Sequence, residues 1–248
     1  MLLILIIIFS LLGSIGSLGL AGSILLLKKH SLRRFTLYTV NYATGTLLGA
    51  AFLGLIPEAL EQLSTERTLV TVLGGIFLFY ILEKLVIWRH CHKEHCEIHS
   101  QSGALIVIGD GFHNFVDGVA IAAAFLGSVQ LGVAASIAVI VHEVPQEVGD
   151  FAILIESGYS RAKALFYNAL SSLTALVGAV GAYFLLNVLE GLTPYMMAVS
   201  AASFIYIALA DLIPSQRRTM MLTNVLSEFG LLVMGVATIA VLHLFYHH

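Results

Sequence analysis

Two short motifs place metal-binding side chains inside otherwise apolar runs of this sequence. The first, "DGFHNFVDG", supplies Asp110, His113, Asn114 and Asp117. At roughly 100° per residue these side chains fall within an arc of roughly 100°, so they share one face of a helix. Carboxylate, imidazole and amide groups together can hold a divalent cation. Without a thiolate, the set suits Zn2+, Fe2+ or Mn2+ better than Cu+.

The second motif, "HEVPQEVGD", follows on the next apolar run. Its polar side chains occupy an arc of roughly 140° on a helix, and they are His142, Glu143, Gln146, Glu147 and Asp150. Pro145 cannot donate a hydrogen bond to the carbonyl of Val141, which predicts a bend beside His142 and Glu143. Asp110, Glu147 and Asp150 lie at the edges of the two arcs, where supporting or interfacial positions are as consistent with the pattern as direct ligation. We predict that the two stripes face each other and bind metal.

The runs that carry the motifs are membrane spans by composition. The 248 residues are 58% hydrophobic and 11% charged, with a mean hydropathy of +0.94, whereas soluble domains are about 25% charged. Eight continuous apolar segments lie at about 2–27, 36–56, 69–88, 104–125, 131–155, 165–189, 194–213 and 222–245. Continuous rather than alternating runs favour helices over a barrel. The sequence therefore predicts an all-α membrane protein with eight transmembrane helices in one domain, 1–248.

The distribution of basic residues predicts the orientation of these spans. Eleven of the twelve Lys and Arg residues fall after the odd-numbered spans, and only Arg67 lies on the other side. By the positive-inside rule, the loops after odd spans are cytoplasmic and both termini are extracytoplasmic. No basic stripe suggests a nucleic-acid partner. The protein is thus expected to be multi-pass, in the cell (inner) membrane of a prokaryote or a plasma or organelle membrane of a eukaryote.

Small residues and prolines predict where helices approach each other and where they end. Gly45 and Gly49 on the second span form a GxxxG pattern, and the first span carries Gly13, Gly16, Gly19 and Gly22. Both patterns predict close helix packing, and they permit a homodimer without requiring one. Glu58 after Pro57 and Asp211 before Pro214 are expected to end the second and seventh spans, either as caps at headgroup level or as carboxylates at the mouth of a pathway.

The loop after the third span, "RHCHKEHCEIHS", is dense in soft metal ligands. They are His90, Cys91, His92, His95, Cys96 and His99. The spacing does not match a closed zinc finger, so we interpret the loop as a weak metal-capture site, with a merely solvated loop as the alternative. On the cytoplasmic side both cysteines are expected to be reduced.

Intramembrane charge on two neighbouring spans requires compensation, because each carboxylate costs roughly 2.5 to 3.5 kcal/mol at membrane depth. A hydrogen bond between packed helices would explain a single polar residue at this depth, but it does not explain two stripes of them. The residues alone leave open a carrier for divalent cations, a metal-selective channel and a membrane-embedded zinc hydrolase. The hydrolase is disfavoured because "HEVPQ" lacks the second histidine of HExxH. Nothing suggests an organic cofactor.

"HNFVDG" on the fourth span and "HEVPQE" on the fifth resemble the signature of the ZIP divalent metal transporters, in the subfamily with His-Glu-x-Pro on the fifth helix. The signature agrees with the eight predicted spans, the outward termini and the histidine-rich loop after the third span. The resemblance implies a ZIP-like bundle that is not an enzyme and that transports metal into the cytosol. The transported cation would be zinc foremost, or iron, manganese, cobalt or cadmium.

The resemblance also implies the site residues. His113, Asn114 and Asp117 match its ligands on the fourth helix, and His142 and Glu143 match the first pair on the fifth. Gln146 stands where many members have Glu or His. The resemblance implies a binuclear or overlapping metal site between the fourth and fifth helices. A neutral amide bridges two cations poorly, so we expect one principal metal at a time.

Overall fold

The computed structural model describes residues 1–24, 29–88, 102–215 and 222–246, and all secondary structure in these ranges is helical. We number the eight long helices α1 (Leu2–Ile24), α2 (29–62), α3 (Thr65–Trp88), α4 (Ser102–Gly127), α5 (Val129–Glu156), α6 (Arg161–Val188), α7 (193–215) and α8 (Leu222–Tyr246). Each contains a stretch long and apolar enough to cross a membrane, and each falls within a few residues of a predicted span. The prediction of eight helical spans is therefore confirmed.

Consecutive helices alternate in direction, because the described connections between them are short. Only residues 63–64 separate α2 from α3, and Ser128 alone separates α4 from α5. Ser128 accepts a hydrogen bond from the backbone N–H of Leu131 at 3.1 Å, which caps the start of α5. We call the end of the bundle where α3, α5 and α7 finish the cavity end, and the opposite end the closed end.

Glycine lets two helix pairs touch backbone to backbone. A Cβ added at Gly118 on α4 would lie 1.9 Å from the carbonyl oxygen of Ala175 on α6, and one at Gly178 would lie 2.1 Å from that of Phe115. The same holds for α2 and α8, where a Cβ at Gly45 would lie 2.0 Å from the carbonyl oxygen of Leu232. The expected role of Gly45 in packing is confirmed.

The glycines of the first span behave differently. Gly19 and Gly22 face open space, and Gly16 has only atoms of its own helix within reach of an added Cβ. Of the four, only Gly13 lies against another helix, at Val139 of α5. The prediction of close packing along the whole stripe is wrong, because a spacing of three drifts around a helix of 3.6 residues per turn.

One proline that was expected to end a helix lies inside it, because α2 continues past Pro57 and Glu58 to Gln62. The apolar span of α7 ends at Leu212, next to Asp211, and the described helix runs to Ser215. A proline clashes with the carbonyl four residues before it. For Pro57 and Pro214 that carbonyl falls in the π-helical segments Ala50–Leu55 and Ile207–Leu212, whose wider turn accommodates the ring.

The metal-binding motifs lie in the middle of this bundle. α4 packs mainly against α6, α5 and α7, and α5 packs mainly against α4, α2 and α1. Both motif stripes are therefore enclosed by helices on several sides, as expected for polar groups at membrane depth.

Candidate metal centre

Four side chains from α4 and α5 converge at one point, and we call them the four-residue centre: His113, Asp117, His142 and Glu143. Each offers one ligand atom, and these atoms all lie within 4.8 Å of one another. The two imidazole Nε2 atoms are 3.1 Å apart. His142 Nε2 lies 3.0 Å from Asp117 Oδ2 and 3.6 Å from Glu143 Oε1. The two stripes face each other as the sequence predicted.

Five of the six separations among the four ligand atoms are close to the edges of a small tetrahedron. Zinc with bonds of about 2.0 Å in tetrahedral geometry separates its ligand atoms by about 3.3 Å. His113 Nε2 lies at similar distances, 3.6 Å from Asp117 Oδ2 and 3.4 Å from Glu143 Oε1. Two imidazoles and two carboxylates also form a neutralising donor set for a divalent cation. The centre can therefore hold one zinc-sized ion with little movement.

The backbone fixes which nitrogen of His142 points into the centre. Its Nδ1 lies 3.0 Å from the carbonyl oxygen of Ala138, one turn earlier on α5. A carbonyl can only accept, so Nδ1 carries a proton, and in the neutral imidazole Nε2 then keeps its lone pair for a ligand. The ring of Phe204 on α7 packs against the imidazole at a centroid distance of 6.4 Å. Both contacts hold the ring in the orientation that a metal requires.

Burial leaves the carboxylates of the centre without hydrogen-bond donors. Asp117 and Glu143 are both fully buried, and all four of their oxygens lack a hydrogen-bond partner of acceptable geometry. A buried carboxylate without a donor or counter-charge is costly. A cation bound at the centre would remove that cost for both groups together.

The remaining residues of the two motifs lie beside the centre rather than within it. Asn114 donates to Asp110 Oδ1 at 2.9 Å, and Gln146 donates to the same oxygen at 3.5 Å. Glu147 turns toward α6, where it accepts a hydrogen bond from Ser172. The structure thus divides the nine polar residues of the two motifs into four that converge and five that lie around them.

Asn168 on α6 belongs to this surrounding shell and was not predicted from the sequence. It is 1% exposed, donates to the backbone carbonyl of Glu147 at 3.3 Å and leaves its own Oδ1 without a partner. Its position one helical turn before Ser171 and Ser172 in an apolar run is the sequence feature that could have indicated a polar contact on α6.

A cavity of about 470 Å3 leads from His113 toward the cavity end. Asp110, Gln146 and Asp150 line its inner part, and Glu83 and Asp211 line it near the ends of α3 and α7. Its lining residues include four carboxylates and neither lysine nor arginine. Within the described part of the chain, the cavity is therefore electrostatically suited to a cation.

Toward the closed end, the space beyond the centre is filled by apolar side chains. α4 contributes Ile121 and Phe125, α7 contributes Met197 and Phe204, and α2 contributes Leu55, and all five are buried. Small residues of α5 such as Ala135 and Ala138 complete this apolar wall. Among the described residues, buried apolar side chains therefore lie on the side of the centre opposite the cavity.

One hydrogen bond ties α3 to α7 beside the cavity. The hydroxyl of Tyr206 donates to Glu83. We expect Tyr206→Phe to lower the free energy of unfolding by about 1 to 2 kcal/mol, because it removes a bond to a charged acceptor. Thermal unfolding of the purified protein measures this. Tyr80→Phe, which changes an exposed tyrosine of α3 in the same way, is the control, and equal losses in both variants would contradict the assignment.

The predicted capture loop lies outside the described residues. This applies to His90, Cys91, His92, His95, Cys96 and His99 alike. Its role stays a prediction.

Comparison with known proteins gives an independent view of the same motifs. Residues 88–243 match the family model described as ZIP Zinc transporter, and this range contains both motifs. The chain is 40% identical to human zinc transporter ZIP6 over 126 residues, which is 51% of this chain and 16% of that protein. It is 38% identical to zebrafish (Danio rerio) ZIP10 over 157 residues, 58% of this chain and 18% of that protein.

A further relative covers nearly the full chain. The Drosophila melanogaster ZIP13 homologue is 28% identical over 320 residues, which takes in 97% of this chain and 90% of that protein. By contrast, the matches to ZIP6 and ZIP10 cover less than a fifth of those longer proteins.

Proposed function

The chain belongs to the family of ZIP zinc transporters, and from that premise we propose that it carries divalent metal cations, zinc foremost, across a membrane. The cargo binds at His113, Asp117, His142 and Glu143. The observation that carries this proposal is the convergence of their four ligand atoms within 4.8 Å of one another. One metal occupies this centre at a time, and no organic cofactor takes part.

A carrier mechanism is supported by the one-sided access to the centre. The cavity leads to His113 from the cavity end, while buried apolar side chains fill the other side. A cation can therefore leave toward the cavity end in this arrangement, and the opposite access requires the helices to rearrange. A channel needs a continuous pathway instead.

The direction of transport follows from the predicted topology. The odd-numbered helices finish at the cavity end, and eleven of the twelve basic residues lie in or next to the connections that follow the odd spans. If these loops are cytoplasmic, the cavity opens to the cytoplasm and the metal moves inward, with both termini outside. The histidine-rich loop would then meet the metal on release. We place all of 1–248 in a single transmembrane domain.

A zinc hydrolase fits the centre less well. Catalytic zinc keeps one of its four positions for water. Here four protein ligands converge, which would fill all four positions. Gln146 also provides no second imidazole on α5 for the HExxH arrangement.

The deciding experiment is the initial rate of radiolabelled zinc uptake into proteoliposomes that contain the purified protein. We expect saturable uptake in the parent chain and none above background in the His142→Ala, Glu143→Ala double variant. Glu61→Gln, an exposed residue at the end of α2, controls for loss of a carboxylate.

Each other outcome contradicts part of the proposal. Unchanged uptake in a correctly inserted double variant would remove the centre from the pathway. Uptake that rises linearly with zinc concentration would favour a channel. No uptake of zinc, iron or manganese, together with turnover of a peptide or lipid substrate, would favour the hydrolase.

A further inference from the structure

The cavity beside the four-residue centre is larger and more apolar than the passage of a metal ion requires. Its volume is about 470 Å3. A divalent cation with about six water molecules occupies about 200 Å3, at roughly 30 Å3 for each water. Much of the cavity wall consists of apolar side chains, which are Phe79 and Leu82 of α3 and Ile106, Phe112 and Val116 of α4. Cavities of this size with apolar walls and a few polar groups are typical of sites for small organic ligands.

The cavity also has an opening between α3 and α4, at membrane depth. α3 packs mainly against α7 and touches α4 very little. Phe112 lines the cavity, yet it is 42% exposed. It lies six residues, or about 9 Å along the helix, inside the apolar span that begins at Ile106. The opening therefore faces the hydrocarbon of the bilayer, and we call it the side window, bordered by Phe79 and Leu82 on α3 and by Ile106 and Phe112 on α4.

At the inner end of the cavity, two buried oxygen atoms lack a hydrogen-bond donor. Asp110 is 5% exposed, and its Oδ1 accepts from Asn114 at 2.9 Å, which orients the carboxylate. The Oδ2 of Asp110 and the Oε1 of Gln146 have no partner among the described residues. Both residues line the cavity, as does Asp150. A ligand that supplies several N–H donors and a positive charge would satisfy these acceptors.

The remaining polar and aromatic groups of the cavity favour an organic cation over a neutral or anionic ligand. Four carboxylates line the cavity, and the described residues place neither lysine nor arginine among them. The rings of Phe79 and Tyr206 pack together in the wall, with centroids 6.4 Å apart. Aromatic faces attract ammonium groups and also cover apolar surface. An ammonium group attached to a hydrocarbon chain would therefore match both parts of the lining.

We propose that this cavity binds a membrane amphiphile with a primary ammonium head and a single apolar tail. The head reaches the inner end through the side window and donates to Asp110 and Gln146, while the tail lies against Phe79 and Phe112. A primary ammonium has three N–H donors and no acceptor, so it can serve the two unpartnered oxygens and the carboxylate of Asp150 together.

Such a ligand would lie between the four-residue centre and the cavity end. His113 belongs to the centre and also lines the cavity. A bound amphiphile would therefore block the route by which a metal ion leaves the centre, and it would inhibit transport. This consequence rests on the proposed function, whereas the binding itself does not.

The test measures the binding of n-octylamine to the purified, chelator-treated full chain in lipid nanodiscs. Isothermal titration calorimetry gives the affinity, and the signal of empty nanodiscs is subtracted to remove partitioning into lipid. We expect saturable binding of about one octylamine per chain. n-Octanol has the same tail without the charge, and ethylamine has the head without the long tail. Each should bind about ten-fold or more weakly than octylamine, equivalent to about 1.4 kcal/mol.

Gly109→Leu tests the site without removing a charge. Gly109 lines the cavity, and an added Cβ there would meet nothing within 4 Å, so a leucine can enter the cavity without displacing a helix. This variant should weaken octylamine binding about ten-fold or more. Gly149→Leu is the matched control, because Gly149 is exposed on α5, has the same free space and is not part of the cavity lining. Asp110→Asn should weaken octylamine binding as well, since it removes the charge that pairs with the ammonium.

Three results would overturn the inference. Octanol binding as tight as that of octylamine would show that the cavity does not select a cation. Ethylamine binding as tight as that of octylamine would show that the side window takes no part. Octylamine binding that is absent, or that Gly109→Leu and Asp110→Asn both leave unchanged, would place no amphiphile in this cavity.

Zinc uptake separates this inference from the proposed function. In proteoliposomes, octylamine should lower the initial rate of zinc uptake by Gly149→Leu more than that by Gly109→Leu, and equal inhibition would contradict a block at the cavity. If the parent chain takes up no zinc while the octylamine results are as expected, the transport function is refuted and the ligand site stands.

Discussion

A Glu143→Gln variant is expected to bind zinc about a hundred-fold more weakly than the parent chain. The substitution keeps the size of the side chain and removes one negative charge from a fully buried ligand. Losing one partner of a buried charge pair costs about 2 to 5 kcal/mol, and about 2.7 kcal/mol corresponds to a hundred-fold change in affinity. The remaining amide oxygen can still contact a cation, so some binding should persist.

Equilibrium binding of radiolabelled zinc to the purified protein measures this change. Parent and variant carry the same histidine-rich loop, so the difference between them isolates the four-residue centre. Glu61→Gln makes the same chemical change at an exposed residue of α2 and should leave zinc affinity unchanged. If Glu143→Gln binds zinc as tightly as Glu61→Gln, Glu143 is not a ligand.

Gly178→Ala is expected to destabilise the folded bundle strongly despite adding only one methyl group. The new Cβ would lie 2.1 Å from the carbonyl oxygen of Phe115, and backbone cannot move aside as a flexible side chain can. α4 and α6 must then separate, which also disturbs Gly118 against Ala175. Overpacking of this kind costs about 1 to 3 kcal/mol or more, which should lower the unfolding temperature by about 5 °C or more.

Gly181→Ala provides a control on the same helix. Gly181 is exposed, and an added Cβ there would meet nothing within 4 Å. This variant should be neutral or slightly stabilising, because alanine loses less backbone entropy in a helix. The two variants are compared by the fraction of protein that stays monodisperse after heating in detergent. Equal melting curves for Gly178→Ala and Gly181→Ala would contradict the close contact of α4 with α6.

The sequence was sufficient to predict the eight spans and the two polar stripes. Continuous apolar runs have few alternatives in a membrane, since the backbone must satisfy its own hydrogen bonds. Helical periodicity then determines which polar residues share a face, so the two stripes of metal-binding residues could be predicted from residue spacing. Both inferences depend only on local pattern.

The division of the stripes into two sets required the structure. Nothing in the spacing of Asp110, His113 and Asp117 shows that the first residue would be engaged by Asn114 while the others meet α5. Side-chain direction and the height of α5 relative to α4 decide this, and both arise from packing across many residues. For the same reason Asn168, which reaches the site from α6, could not be assigned by its position in the chain.

The continuation of α2 past Pro57 could not be predicted from the sequence either, because Pro57 indicated a helix end. The sequence "LIP" occurs at residues 55–57 and 212–214, and in both places its leucine is the last residue of a π-helical segment. A widened turn before a proline depends on neighbouring helices that supply the lost packing, so the proline alone could not distinguish an end from a continuation.

If the protein transports ions as proposed, the apolar wall on the closed-end side of the centre limits its rate. Phe125, Met197 and Phe204 are buried there, so each ion would have to wait for helices to rearrange around these side chains. Collective motions of this kind take microseconds to milliseconds, which restricts turnover to about 10^3 to 10^6 ions per second for each molecule. Cells that need more metal would therefore have to make more copies of the protein, since a larger gradient cannot shorten the rearrangement once the centre is saturated.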